Sequence, residues 1–273
     1  MIFYTRPRGI FSFLMAGLVI AFGAGPVMAQ NKSQSPAQFH IPLQSTVPVK
    51  SLPAAEKKAI ERIVREYILK NPEVIVEAIQ SLRERDQQQA QERVRKTLVS
   101  RRDELLNDPL TPVGGNPKGD VTIVEFFDYR CGYCKRVFPA IQKLLNTDGN
   151  IRYVFKEFPI LGPDSLTAAK VALAVWKIDK KKYEPFHKAM MPTKGALTES
   201  RIMKIAAGVG LDVKALKKAM LGPDIAALIE KNFALAQALD INGTPAFVIG
   251  DEVVRGAIDL AALKQLVSQA RGS

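Results

Sequence analysis

The sequence predicts an α/β domain preceded by an extended α-helical arm, and three observations carry that prediction. Residues 51–107 show helical periodicity and no strand pattern. Beyond Pro109, apolar strand-like runs alternate with amphipathic stretches punctuated by Gly and Pro, the order expected of a sheet with crossover helices. Inside that second region the chain's only two cysteines stand three apart, Cys131-Gly132-Tyr133-Cys134, directly after the apolar run Val121–Phe127.

Residues 1–29 have Arg6 and Arg8, an apolar run from Ile10 to Ala24, and a small-x-small end at Val27-Met28-Ala29. This is a signal-peptide pattern, too short and too Gly-broken for a spanning helix, with an uncleaved anchor as the alternative. No cysteine stands at the end of the apolar run, so a lipoprotein anchor is not expected. Export places the mature chain in an oxidising space such as a bacterial periplasm. Residues 30–50, rich in Ser, Gln and Pro without periodicity, read as a flexible leader.

In the arm, Ile60, Ile63, Val64, Tyr67 and Ile68 form an amphipathic stripe. Asn71-Pro72 breaks and restarts the helix, with Asn71 expected as N-cap and Pro72 at the first helical position. Val74, Ile75, Ala78, Ile79 and Leu82 continue the stripe, a polar stretch runs from Glu84 to Arg93, and Val94, Leu98 and Leu105 follow. An unbroken helix from Pro72 to Leu106 would span roughly 50 Å. Two such helices bury no core of their own, so the stripe must pack on the following domain or on copies of itself, and self-association is the favoured expectation.

The domain, residues 108–273, begins with a central strand at Val121–Phe127 and a helix from Cys131 to Leu145 interrupted by Pro139. A strand follows at Ile151–Phe158, and then a helical block over about 162–240. A hairpin of Pro245–Ile249 and Glu252–Arg255 precedes a last helix, Ile258–Ala270. A βαβ unit, a helical block, then a hairpin and helix is the order of a thioredoxin fold with a helical insertion.

A C-x-x-C on the first turn of a helix suits thiol–disulfide exchange. The helix N-terminus favours negative charge, so Cys131 is expected partly as thiolate, and Cys134, one turn on, is expected buried and poised to resolve a mixed disulfide. A structural disulfide over so short a loop would remove little unfolded-state entropy. Zinc wants four ligands, and His40 and His187, the only histidines, show no ligand spacing. The net charge of +12 is uneven. Residues 131–220 carry 17 basic and 7 acidic side chains against 12 and 10 over 51–106. The basic residues are scattered and no nucleic-acid motif accompanies them, so a solvated face that steers acidic partners is expected and nucleic acid is not.

The segment from Glu125-Phe126-Phe127-Asp128-Tyr129-Arg130 through Cys131-Gly132-Tyr133-Cys134-Lys135 resembles the active-site segment of DsbA-like thiol oxidoreductases, and Gly243-Thr244-Pro245-Ala246-Phe247 resembles the cis-proline segment of thioredoxin folds. Residues 51–95, with Leu69-Lys70-Asn71-Pro72-Glu73-Val74, resemble the N-terminal helical region of the suppressor-of-copper-sensitivity (ScsC) subgroup. The resemblance implies Cys131 as exposed nucleophile, Cys134 as resolving thiol, and a cis Pro245 facing the sulfurs. It further implies that Thr244 tunes Cys131 with its hydroxyl and that Glu125 is a buried acid moving protons for Cys134. Asp128 and Arg130 are expected only to modify the local electrostatics.

Gly132-Tyr133 replaces the Pro-His of the strongly oxidising members, which implies a less acidic Cys131 and a weaker oxidant. Cys-Gly-Tyr-Cys is also similar to the motif of oligomeric periplasmic disulfide isomerases. Three readings follow. The favoured one is a homo-oligomeric, first of all trimeric, isomerase or reductase, acting on exported proteins with cysteines and recharged by a DsbD/ScsB-like membrane reductant. The second is a monomeric oxidase recharged by a DsbB-like membrane oxidant. The third is a copper-tolerance protein binding Cu(I) at Cys131 and Cys134, although the methionines form no cluster beyond Met190-Met191.

Overall fold

The computed structural model describes residues 52–272, so the signal-peptide and leader expectations lie outside the described residues. The chain divides into two units between Arg65 and Glu66. The boundary falls inside the first helix, α1 (Ala54–Lys70). In the first unit Ile60, Ile63 and Val64 stand exposed. The rest is a second unit in the order α2 (Glu73–Ser100), α3 (Arg102–Leu106), β1 (Val113–Gly115), β2 (Val121–Phe127), α4 (Gly132–Thr147) and β3 (Ile151–Glu157). There follow α5 (Pro163–Ile178), α6 (Lys180–Met190), α7 (Glu199–Gly208), α8 (Val213–Ala219), α9 (Pro223–Ala238), β4 (Ala246–Ile249), β5 (Glu252–Arg255) and α10 (Leu260–Gly272).

Three local expectations are corrected. Asn71 does not cap α2, because its amide instead donates to Tyr67 O at 2.9 Å and closes α1, leaving Pro72 at the α2 N-cap without a side-chain acceptor. The long helix is not continuous to Leu106 but breaks at Arg101 (φ −110°, ψ 21°), whose guanidinium is drawn sideways to Glu104 and to Ala234 O. The strand β1 was not expected, since Val113-Gly114-Gly115 offers no alternating apolar pattern.

The sheet order is β1-β3-β2-β4-β5, with β2 parallel to β3 and antiparallel to β4, so the helical block α5–α9 is inserted between β3 and the terminal hairpin. The hairpin turns at Gly250, whose φ of +59° a side-chain-bearing residue would adopt only at a cost. Both faces of β2 are buried, and its period of two sorts them. Val121, Ile123 and Phe127 share a core with the helical block, α4 and α10. Val124 and Phe126 face a second core with Leu98, Leu105, Leu235, Ala236 and Leu239. The last turn of α2 and all of α3 are thus packed on the sheet. On that side Lys156 Nζ is buried and donates to Glu104 O (2.7 Å) and Thr111 Oγ1 (3.1 Å), and burial lowers its pKa to about 8.

Candidate active site

The C-terminal end of β2 runs into a tight turn, closed by Cys131 N–H to Asp128 O at 3.0 Å, that delivers Cys131 to the N-cap of α4. No side chain caps this helix, so its orphan amides are free to meet the sulfur. The apolar positions Cys134, Val137, Ile141 and Leu144 recur at helical spacing and bury α4 against the sheet, which fixes the height of Cys131 at the rim. The Thr244-Pro245 peptide is cis and brings Thr244 O within 3.2 Å of Cys131 Sγ.

Both cysteines are free thiols. Cys131 is not the exposed residue expected: it is 6 % exposed, shielded by its own helix and the Thr244-Pro245 segment, while Tyr133 beside it is 57 % exposed. Its pKa falls to about 5, chiefly through a hydrogen bond from the Cys134 thiol, with further help from Thr244 and the Cys134 and Tyr133 backbone N–H groups, against the opposing effect of burial. Cys134 is fully buried, and burial first, then the bond to Cys131 and the nearby Glu125 charge, push its thiol upward. The pair is therefore polarised into one acidic and one reluctant thiol, the division that ordered exchange needs.

Glu125 projects to the face of β2 that carries α4. Burial raises its pKa to about 7, partly opposed by the hydrogen bond from Tyr153 Oη to Oε2 (2.7 Å) and augmented by the Cys131 charge. Its Oε1 is buried without a hydrogen-bond partner. Its charge reaches Cys134 and helps hold that thiol up.

Asp128 and Arg130 are more than electrostatic modifiers. Asp128 is buried, and its two carboxyl oxygens accept from Arg130 N (2.7 Å), Ser165 Oγ (2.8 Å) and Leu161 N (3.0 Å). Arg130 Nη1 donates to Leu161 O at 2.6 Å. Together they brace the redox turn against the start of the helical block. Lys135, next to Cys134, went unassigned in the sequence, yet its half-buried ammonium donates to Met191 O (3.0 Å) and Thr193 O (2.8 Å), tying α4 to the end of α6. A lysine inside the first turn of a catalytic helix, where a cation is disfavoured by the macrodipole, was the available signal.

Comparison with known proteins agrees with this geometry. Residues 122–268 match the DSBA-like thioredoxin domain, and residues 56–89 match the copper resistance protein ScsC N-terminal domain. A thioredoxin-like oxidoreductase from Silicibacter pomeroyi is 46 % identical, with a TM-score of 0.61 over 63 % of this chain and 98 % of that one. Proteus mirabilis ScsC in a transitional conformation is 32 % identical, with a TM-score of 0.61 over 81 % of this chain and 98 % of that one. Disulfide bond formation protein D of Bacillus subtilis is 27 % identical over 168 residues, 58 % of this chain and 76 % of that protein. With a polarised thiol pair set on this fold, the chain belongs to the DSBA-like thioredoxin-domain family, in its ScsC-like subgroup, and is a thiol-disulfide oxidoreductase.

Proposed function

We propose that the protein is an exported, homo-oligomeric disulfide isomerase or reductase that works through Cys131 and Cys134. Cys131 thiolate attacks a substrate disulfide, forming a mixed disulfide and releasing one substrate thiolate. In isomerisation a second substrate thiol then attacks the mixed bond and returns Cys131 as thiolate. In reduction Cys134 surrenders its proton to Glu125 and attacks Cys131 Sγ, which releases the substrate as a dithiol and leaves Cys131–Cys134 oxidised. A membrane reductant of the DsbD/ScsB-like kind would restore the dithiol. Among the described residues no helix is long and apolar enough to cross a membrane.

The observation that carries the oligomeric reading is the apolar stripe left in water. Ile60, Ile63, Val64 and Tyr67 are 47–63 % exposed on α1, and Ile75, Val76, Ile79 and Leu82 are 45–64 % exposed on α2. A row of large apolar side chains at helical spacing on an otherwise polar helix calls for a partner surface, and identical helices of further copies supply one. A trimer is the first expectation, by likeness to the ScsC subgroup.

The test uses the full chain beside a variant with Ile75, Ile79 and Leu82 replaced by lysine, which leaves the redox centre untouched. Light scattering should show a multimer reduced to monomer. Reactivation of scrambled ribonuclease should fall more than about tenfold while Cys131 alkylation is unchanged. A monomeric parent that oxidises reduced ribonuclease would establish the oxidase reading instead, with a DsbB-like partner. The thiol pKa of about 5 favours that second reading, because a stabilised thiolate makes the reduced state the preferred one. The adjacent thiols also form a donor pair suited to Cu(I), and among the described residues no larger cluster of His, Cys, Asp and Glu offers another metal site. Cu(I) titration of the parent and of Cys131→Ala separates copper carriage from exchange.

A further inference from the structure

Below the redox turn lies a second buried carboxyl that the exchange steps do not use. Glu157 closes β3 in register with Phe127 and is 1 % exposed. Tyr183 Oη on α6 donates to its Oε1 at 3.1 Å, and Asn232 Nδ2 on α9 donates to its backbone O at 3.0 Å. Its Oε2 is buried without a partner of ordinary hydrogen-bond geometry, and the phenol of Tyr129 stands beside the carboxyl. Tyr129 Oη lies 3.0 Å from Nδ1 of His187. His187 is one turn beyond Tyr183 on the same face of α6, and the two rings stack at 6.0 Å. Phe127, Phe138 and Phe155 pack edge-on or tilted around the imidazole, at 5.1, 5.5 and 4.8 Å.

We propose that Glu157 is a positioning residue of the redox centre: its carboxyl is the pin between Tyr183 on α6 and Tyr129 on the turn that presents Cys131. Burial drops the His187 pKa to about 3, so the ring is neutral, and either tautomer closes the contacts. With the ring proton on Nε2, Nδ1 accepts from the Tyr129 hydroxyl and Tyr129 accepts a proton held on Glu157 Oε2. With it on Nδ1, the ring donates to Tyr129 and Tyr129 donates to Oε2. Burial, with the Asp128 and Glu125 charges, holds Glu157 well above the usual carboxylate range, against the opposing hydrogen bonds of Tyr183 and Tyr129. In both arrangements Glu157 joins Tyr183 to Tyr129 and its orphaned oxygen is satisfied.

The consequence reaches the sulfur through two residues of backbone. Tyr129 lies inside the turn closed by Cys131 N–H to Asp128 O, and that turn sets where the Cys131 sulfur meets the Cys134 thiol and the Tyr133 and Cys134 backbone N–H groups that favour its thiolate. Releasing Tyr129 loosens those bonds and makes the thiolate less favoured. The inference rests on thiol exchange at Cys131 and is independent of whether the protein is isomerase or oxidase.

The experiment is a pH titration of Cys131 by ultraviolet thiolate absorbance, with the redox potential against glutathione, in full-length variants. Glu157→Leu should raise the thiolate midpoint by about one pH unit, tenfold in the ionisation constant, and make the protein more reducing. Glu157→Gln should restore the parental midpoint, since its amide donates to Tyr129 and accepts from Tyr183. A folded Glu157→Leu with an unmoved midpoint overturns the proposal, as does a Glu157→Gln that shifts as far as Leu. Should Glu157→Leu fail to fold, Tyr129→Phe removes the phenol alone. It should shift the midpoint in the same direction, and an unmoved midpoint overturns the proposal equally.

Discussion

At the scale of single residues the chemistry is set by unequal burial of like groups. Cys131 titrating near 5 is almost wholly thiolate at neutral pH, where an ordinary cysteine is ionised to a few per cent. Cys131→Ser should abolish exchange, and Cys134→Ala should trap substrates as mixed disulfides visible on non-reducing gels. Glu125→Gln should slow resolution by about ten- to hundredfold while sparing alkylation of Cys131, and should remove the inflection near pH 7 from the rate profile. His187 and Glu125 act oppositely on stability. The unfolded chain takes up a proton on His187 below about 6.5 that the folded chain refuses until about 3, so stability falls as pH drops through that window. Folded Glu125 keeps its proton up to about 7 whereas the unfolded carboxyl loses it near 4.5, so stability falls as pH rises between them. The two slopes offset one another between about 4.5 and 6.5. Denaturant titrations of His187→Gln should show the acid-side loss, on the order of 5 kcal/mol for the full shift, largely removed. Cys131 and Cys134 were legible because their spacing is local, whereas the Thr244-Pro245 segment, 113 residues away, was legible only through its resemblance to the cis-proline segment of thioredoxin folds. Glu157 and His187 were not, because their meaning comes from helices inserted 20 or more residues away in the chain; a charged pair, Lys156-Glu157, directly after the apolar run Tyr153-Val154-Phe155 was the trace they left.

At the scale of elements, β2 and α4 were readable from periodicity, and the sheet explains why β2 reads as a nearly continuous apolar run: both faces are covered. The break at Arg101 was not readable. Nothing in Ser100-Arg101-Arg102 stops a helix by propensity, and the stop comes from Arg101 reaching Ala234 O while Leu98 and Leu105 settle on the sheet. Leu105, 4 % exposed, should cost about 2–5 kcal/mol on replacement by Ala, measurable as a lower denaturation midpoint with unaltered thiol titration. Short β1 was hidden for a different reason: its two glycines bring no strand propensity, and backbone pairing to β3 alone defines it.

At the scale of the molecule, the βαβ, helical block and hairpin were legible in order, because loop punctuation by Gly and Pro marks each joint. The helical segment ahead of them was legible as helix, but where it joins the domain was not, since the joint depends on which apolar positions find the sheet. That joint decides where the chain can be severed. A protease acting in the exposed stretch 84–93 releases a fragment that keeps both Leu98 and Leu105 seated, and such a fragment should stay soluble and retain full thiol reactivity. A cut between those two leucines strips Leu98 from the second core, leaving Leu105, Leu235, Ala236 and Leu239 over Val124 and Phe126 but baring part of an apolar sheet face. The same enzyme then either liberates a durable catalytic piece or sends it toward precipitation, depending on a shift of scarcely two helical turns.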